Sequence, residues 1–516
     1  MENTTESPVK KTGWHSLPLE IQWAIWECVD DLLEEMSPEK AAVTAPILVS
    51  REWRNYFQHY HFHTIVLDQY RLDDFDQLVT RRPYLRENIR TIRLHVKLGR
   101  YRCGDCRKPE SVRESNENSH VFMHSLQKFM HIMSKWPRSI RRQKHHLTLD
   151  LGAYSPSDSL HGFRANQLDR GYGANDSGNP DDVMSHKCPG WLGFCADRPP
   201  ADGAMKRVQS ALSIVNVPVR FASAPVIDEL WISRKCYRYI SKEILSQLIS
   251  QGLPSIRHFR HEAWAQPTTD GRREFREGYQ EVIKALPQSL DTFSFFYEHM
   301  QKERDLQIQN GRGRLGEVLA QLATRMSVCS VSFVIDAEDF LEASIELSKT
   351  EEAYPRLEHL TLTSRTLAEI WDLHPEGVAQ LLFLGATMAF QRMPALKSLD
   401  IWNGGKIYNK VESLLVRFSV QGDGELHVVW SSTGGWGMKE AIELLKKRWN
   451  EGEPSRPLHV YYQRETSNEI TAEGRYIYWH PALRHVLHPE SREQTKLEDH
   501  EYLLERAAYL WDAYTR

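Results

Sequence analysis

The chain has 516 residues, of which 41% are hydrophobic and 26% charged, a composition that excludes a largely disordered protein. Its formal net charge of −4 leaves no large basic excess, which argues against nucleic acid as an obligatory partner. The longest apolar run, 381–390, reaches only about half of a membrane span, so we expect no membrane partner.

The first eleven residues are polar and carry no apolar core of signal-peptide length, so 1–11 is predicted to be a disordered N-terminus. The seven cysteines are odd in number and scattered, which is typical of reduced thiols rather than of a disulfide framework. We therefore expect a soluble protein of the cytoplasm, the nucleus or both.

A helical unit is predicted at 12–68. Pro18 followed by Glu20 is a helix-start signal, because proline needs no hydrogen bond in the first turn and an acid suits the positive helix end. Apolar residues at helical spacing continue this first helix. The same start signal at 37–39 predicts a second helix, and Pro46 opens a third that reaches Phe57.

Three stretches of this unit, 17–21, 25–26 and 48–53, together resemble the F-box, the docking domain of substrate receptors in cullin–RING ubiquitin ligases. The order is Leu-Pro-x-Glu-Ile, a short apolar helix, and an apolar-apolar-small-basic-x-Trp run. Trp26 stands where leucine is usual, and the middle segment is long. From the residues alone, a helical cap with buried tryptophans is as good a prediction as a docking face.

The resemblance implies a non-catalytic subunit of a ubiquitin ligase, with no cofactor. The chain would bind the adaptor subunit, through it the cullin, and by its body an unknown target protein. Trp53 would support the core as much as it contacts the adaptor. The positions that match the family's adaptor contacts are Leu17, Pro18, Ile21, Ile25, Leu48, Val49 and Trp53.

A short strand pattern recurs through the body, 69–410. Alternating apolar residues over so few positions indicate half-buried strands, and amphipathic helices lie between them. We therefore predict an α/β protein whose body is an irregular leucine-rich-repeat-like solenoid; an ordinary α/β fold is the alternative. The predicted strands lie at 89–94, 147–151, 226–232, 256–259, 290–295, 328–333, 357–362 and 396–401.

Two further regions complete the predicted organisation. The range 155–225, rich in glycine, aspartate, proline and serine, is predicted to be a loop insert. Just before it, 149–159 resembles a stretch of filamentous-fungal F-box proteins. In the tail, 411–516, we predict a capping hairpin at 414–430 that closes the sheet, a helix near 438–445 and a final amphipathic helix at 498–514.

Few motifs indicate chemistry. The range 311–316 has the dinucleotide-binding pattern G-x-G-x-x-G, but no strand directly precedes it, so a loop entering a helix is the better prediction. Cys103 and Cys106 form a C-x-x-C pair that could share a zinc ion with ligands from the insert, such as Cys188 and Cys195, but the spacing of that second pair is poor.

The sequence contains no recognisable nucleophile elbow, phosphate loop or carboxylate pair. We therefore expect no catalytic residue. Two other functions stay open: a scaffold that uses the same helical unit outside any ligase, and a zinc-binding protein or enzyme with its site in the body.

Overall fold

The computed structural model of the chain describes residues 13–34, 46–138, 146–160, 202–215, 220–265, 269–298, 314–347, 354–368, 375–407, 410–421, 424–432, 438–452, 457–464 and 480–496. These residues form a mixed α/β protein around a twelve-stranded, mostly parallel sheet. The α/β class expected from the sequence is confirmed. Among the described residues, no helix combines the length and the apolarity that crossing a bilayer requires.

The α-helices are α1 (Leu19–Glu34), α2 (Pro46–Val49), α3 (Arg51–His63), α4 (Leu72–Arg81), α5 (Val112–Ser134), α6 (Pro156–Leu160), α7 (Asp202–Val208), α8 (Lys242–Gln247), α9 (Thr269–Ala285), α10 (Arg314–Ala323), α11 (Ala337–Leu347), α12 (Arg365–Ala368), α13 (Pro375–Gln391) and α14 (Lys439–Gly452). A short π-helix, Leu248–Gly252, continues α8. Short 3-10 helices lie at Trp14–Ser16, Pro83–Glu87, Cys103–Asp105 and Pro481–Leu483.

The strands are β1 (Thr64–Leu67), β2 (Thr91–Lys97), β3 (Thr148–Tyr154), β4 (Ala211–Leu212), β5 (Glu229–Ile232), β6 (Tyr239–Ile240), β7 (His258–Trp264), β8 (Thr292–Glu298), β9 (Val328–Ser332), β10 (His359–Thr363), β11 (Ser398–Ile407), β12 (Lys410–Val420), β13 (Leu426–Ser432) and β14 (Leu458–Arg464). The short strands β4 and β6 pair with each other outside the large sheet.

Strand order in the large sheet follows chain order, β1-β2-β3-β5-β7-β8-β9-β10-β11-β12-β13-β14. The pairs from β1 to β11 are parallel, β12 is antiparallel to both its neighbours, and β14 is parallel to β13. A parallel pair needs a crossover connection, and helices of the body occupy these connections.

The two faces of the sheet differ because successive residues of a strand point to opposite sides. One position per strand forms a buried row in register across the sheet, which packs with the helices in a continuous core. This row consists of Ile92, Leu149, Leu230, Phe259, Phe293, Cys329, Leu360 and Leu399.

The next position along each strand faces the other side and forms what we call the polar row. Its members are also in register, and most of them are polar or charged. The polar row consists of Arg93, Asp150, Trp231, Arg260, Ser294, Ser330, Thr361, Asp400 and Arg417.

The predicted strands of the body are observed with shifts of a few residues at their ends. The hairpin is also observed as β12 and β13, but it does not close the sheet, since β14 adds a further strand beyond it. Sequence reasoning missed β14 because its apolar positions are few. Within the predicted insert, α6 and α7 are helical, and 161–200 lies outside the described residues.

In the helical unit, α1 begins directly after Pro18, as predicted. The single helix predicted from Pro46 is wrong, since it divides into α2 and α3. Ser50 causes the division because its Oγ accepts a hydrogen bond from Trp53 N at 3.3 Å and so caps a new helix. The helix predicted at 37–39 and the final helix at 498–514 lie outside the described residues.

Candidate functional site

The described N-terminal helices, 13–34 and 46–63, which we call the head, have a small aromatic core of their own. Trp26 of α1 stacks on Tyr56 of α3 with ring centroids 4.7 Å apart. The ring centroids of Trp14 and Trp53 are 5.1 Å apart, and Phe57 is fully buried in the same cluster. Aromatic pairs at such distances add stability beyond their buried area. The core therefore fixes α1 against α3 without using the apolar residues at the start of α1.

The apolar residues at the start of α1, and two more on α2, lie on the surface of the head. Leu48 is 75% exposed and Val49 60%, which is unusual for consecutive large apolar side chains. Adjacent exposed apolar side chains such as these two often mark interaction sites. The exposed set, which we call the head surface, consists of Leu17, Leu19, Ile21, Trp23, Leu48 and Val49.

Of the predicted adaptor residues, four (Leu17, Ile21, Leu48 and Val49) belong to the head surface, and Trp53 belongs to the aromatic core. Pro18 is exposed beside Leu17, whereas Ile25 is half-buried. Trp53 is half-buried within the aromatic core, so its contact with a partner would be partial. Sequence reasoning did not assign Leu19 and Trp23 to the surface, since helical spacing alone does not say which of several adjacent apolar residues packs inside.

A second feature was missed entirely: residues 480–496, which we call the strap, cross the polar row of the sheet. The strap contributes three fully buried side chains, Leu483, Val486 and Leu487, to the continuous core. Their spacing is the only sequence signal of the strap, and three apolar residues are too few to predict an element.

Side chains of the polar row hold the backbone of the strap. Arg417 donates a hydrogen bond to the Ala482 carbonyl at 3.3 Å while it forms a two-bond ion pair with Asp400, at 2.7 and 3.0 Å. Arg260 and Ser294 both donate to the His485 carbonyl, at 3.3 and 3.1 Å. Because these donors come from several strands, the strap is tied to the sheet along its length.

The end of the strap is held by rings and charges. The His488 ring stacks on Trp231 with centroids 3.8 Å apart. Glu490 forms an ion pair with Arg93. The buried Glu262 carboxylate accepts hydrogen bonds from His488 N, at 2.7 Å, and from Ser491 Oγ. These contacts hold the end of the strap against the amino-terminal half of the sheet.

Burial dominates the electrostatics beneath the strap. It raises the pKa of Glu262, although Arg260 and the strap's hydrogen bonds oppose the rise. Burial also lowers the pKa of His488, to about 3, with Arg260 adding to the effect. The ring of His488 is therefore neutral when it stacks on Trp231. The groups of the polar row that contact the strap thus have structural partners within the chain.

The candidate zinc residues Cys103 and Cys106 do not join a ligand cluster among the described residues. Cys106 is buried in an apolar cluster with Met205 and Tyr237, and Cys103 packs against the same cluster. Cys188 and Cys195 lie outside the described residues. The zinc site therefore stays a prediction.

Glycine 311 and glycine 313 of the dinucleotide-like pattern also lie outside the described residues. The part that is described opens α10, which confirms the predicted helix, whereas the predicted loop before it lies outside the described residues.

Comparison with known proteins gives a match to one family model over part of the chain, and no activity. Residues 285–488, which run from the end of α9 into the strap and are less than half of the chain, match a family of unknown function, DUF6546. No curated protein matches the chain.

Proposed function

We propose that the chain is the substrate-recognition subunit of a ubiquitin ligase of the Skp/cullin/F-box type. The head would bind the adaptor and the body would hold a target protein. The observation that carries the proposal is the head surface, whose large apolar side chains are exposed although the head has an aromatic core of its own. A helical cap would bury them instead.

The positions of the exposed residues support an F-box reading of the head. Leu17, Pro18 and Ile21 at the start of α1, and Leu48 and Val49 on α2, match the family's contact positions and are exposed. A specific interface of this kind buries roughly 1,200–2,000 Å² in total and depends on a few central anchors. The head offers such anchors.

The sheet supports the finer reading of the body as an irregular leucine-rich-repeat-like solenoid. Consecutive parallel strands in chain order, with helices between them and one buried row in register, are the features of such repeats. In this function the chain itself catalyses nothing. Holding a target near the charged ubiquitin-carrying enzyme raises the local concentration of the target, and proximity supplies the rate.

Affinity purification from cells with the proteasome blocked tests this function. We expect the adaptor and the cullin to co-purify with the wild-type chain and both to be lost from a Leu48→Asp/Val49→Asp variant. The matched control is Leu347→Asp, since Leu347 is an exposed leucine of α11 in the body. Adaptor without cullin would replace the ligase by the non-ligase scaffold, and absence of both from the wild type would contradict the F-box reading.

A further inference from the structure

At the far edge of the sheet, three side chains that bind metals converge. Glu425 precedes β13, and His427 lies two residues later on the same face, because side chains of a strand alternate. His459 of the edge strand β14 is the direct register partner of His427. The topology thus brings two imidazoles and one carboxylate together from positions that are separate in sequence.

The three potential ligand atoms lie at distances that suit one ion. Glu425 Oε2 is 3.5 Å from His427 Nε2 and 3.2 Å from His459 Nε2, and all three atoms are within 4.8 Å of one another. A tetrahedral zinc ion with bonds of about 2.0–2.2 Å holds its ligands roughly 3.3–3.6 Å apart. The two distances to Glu425 therefore fit three of the four ligands of one tetrahedral ion.

The burial of the two nitrogens is a second, independent observation. Although both rings are partly exposed, the Nε2 atoms of His427 and His459 are shielded from solvent, and within the described part of the chain neither makes an aligned hydrogen bond, although the Glu425 carboxylate lies 3.5 and 3.2 Å away. Shielded polar atoms without a hydrogen bond are rare, since each costs free energy. A cation between the two nitrogens and the carboxylate would satisfy both. Tyr461, with its ring 5.5 Å from His427, covers the same face.

We propose that Glu425, His427 and His459 bind one divalent transition-metal ion of the zinc class. Imidazole nitrogen selects such ions, whereas magnesium and calcium prefer oxygen alone. Three protein ligands leave one coordination position for water. The ion would tie the edge strand β14 to β13, so that binding stabilises this edge of the sheet. The proposal is independent of the ubiquitin-ligase function.

The test is zinc titration of the full-length chain after chelator treatment, with a competing chromophoric chelator to report affinity. We expect one tight equivalent in the wild type, and binding weaker by at least about 100-fold in His427→Gln/His459→Gln and in Glu425→Gln, because even outer-shell changes cost 10–100-fold. His120→Gln, an exposed histidine of α5, is the matched control and should bind like the wild type.

Two further readouts keep the test decisive. Zinc should raise the thermal midpoint of the wild type and of His120→Gln but not of Glu425→Gln, which lies outside the strand and leaves the strand pairing intact. Cobalt in place of zinc should give the visible absorption of a tetrahedral site. Zinc binding that survives all three substitutions, or no tight equivalent in the wild type, would overturn the proposal.

Discussion

At the scale of single residues, the body contains a buried ion pair between Arg234 and Glu298. The guanidinium donates to one carboxylate oxygen from Nε and from Nη2, at 2.8 and 2.6 Å, and both side chains are fully buried. The Trp264 ring lies 4.9 Å from the guanidinium carbon, and its indole donates to the Arg234 carbonyl. The pair joins the loop after β5 to the end of β8.

Arg234→Met should destabilise the protein by about 3–5 kcal/mol, because it removes the guanidinium that faces the buried Glu298 carboxylate. Denaturant unfolding measures the loss. Arg234→Met/Glu298→Gln should recover part of it, since no buried charge then remains. Lys397→Met, which breaks the exposed pair with Glu358, is the control and should leave the midpoint unchanged. If Arg234→Met and Lys397→Met lowered the free energy of unfolding equally, burial of the Arg234–Glu298 pair would be unimportant.

His488 makes stability depend on pH. Its pKa of about 3 in the folded chain lies below the usual value near 6.5. Between these two pH values the unfolded chain therefore binds a proton at this ring and the folded chain does not. The contribution of the neutral ring is therefore complete above pH 6.5 and is lost as the pH falls towards 3. Between about pH 6.5 and 4.5 the wild type should lose stability more steeply than His488→Asn, by up to about 1.4 kcal/mol per pH unit.

Unfolding midpoints of the two proteins across that range provide the measurement. His120→Asn, which removes an exposed ring, should follow the wild type. Parallel curves for the wild type and His488→Asn would mean that the ring is not held neutral on Trp231.

At the scale of elements, the strap is the segment whose loss should change the molecule most. Leu487 is fully buried in the core, so Leu487→Ala should cost about 2–5 kcal/mol. Hydrogen exchange at 481–488 should rise, because the strap is held by side chains rather than by strand pairing. Leu347→Ala, at an exposed leucine, should change neither quantity. Unchanged exchange in the Leu487→Ala strap would contradict its attachment through this side chain.

The strands of the body could be predicted from the sequence, whereas the strap could not. The signals for a strand are local in sequence, but the contacts of the strap join residues that are far apart in the chain. A strand such as β8 can be predicted from its apolar residues two positions apart. The strap is defined by contacts such as that of Glu490 with Arg93, which are almost four hundred residues apart in the chain. The cluster at Glu425, His427 and His459 was missed for the same reason, since it depends on the pairing of β13 with β14.

The head shows a different limit of sequence reasoning. The helix start at Pro18 follows from local chemistry and is observed. Which tryptophan is buried does not follow, because Trp23 and Trp26 are three residues apart on one helix. Their environments are decided by α3, which covers Trp26 with Tyr56 and leaves Trp23 about half exposed.

At the scale of the whole molecule, apolar burial among the described residues divides into three clusters, the continuous core of the body, the small cluster around Cys106 and the aromatic core of the head. The body has one continuous core along the twelve-stranded sheet, and the strap adds its own leucines to that core. The head has a small aromatic core and an exposed apolar surface. An arrangement of this kind suits a chain that presents a docking surface at one end and carries a large scaffold for a second partner.

The affinity of the purified full-length chain for the F-box-binding adaptor tests this proposal most directly. Leu17→Ala/Pro18→Ala should weaken binding by roughly 2 kcal/mol or more, about 30-fold in Kd, because both residues are exposed and are the contacts that the proposal assigns to the adaptor. Val112→Ala, at an exposed valine of α5, should bind like the wild type. A wild-type chain that does not bind the adaptor, or a double variant that binds it equally well, would contradict the proposed role of the head.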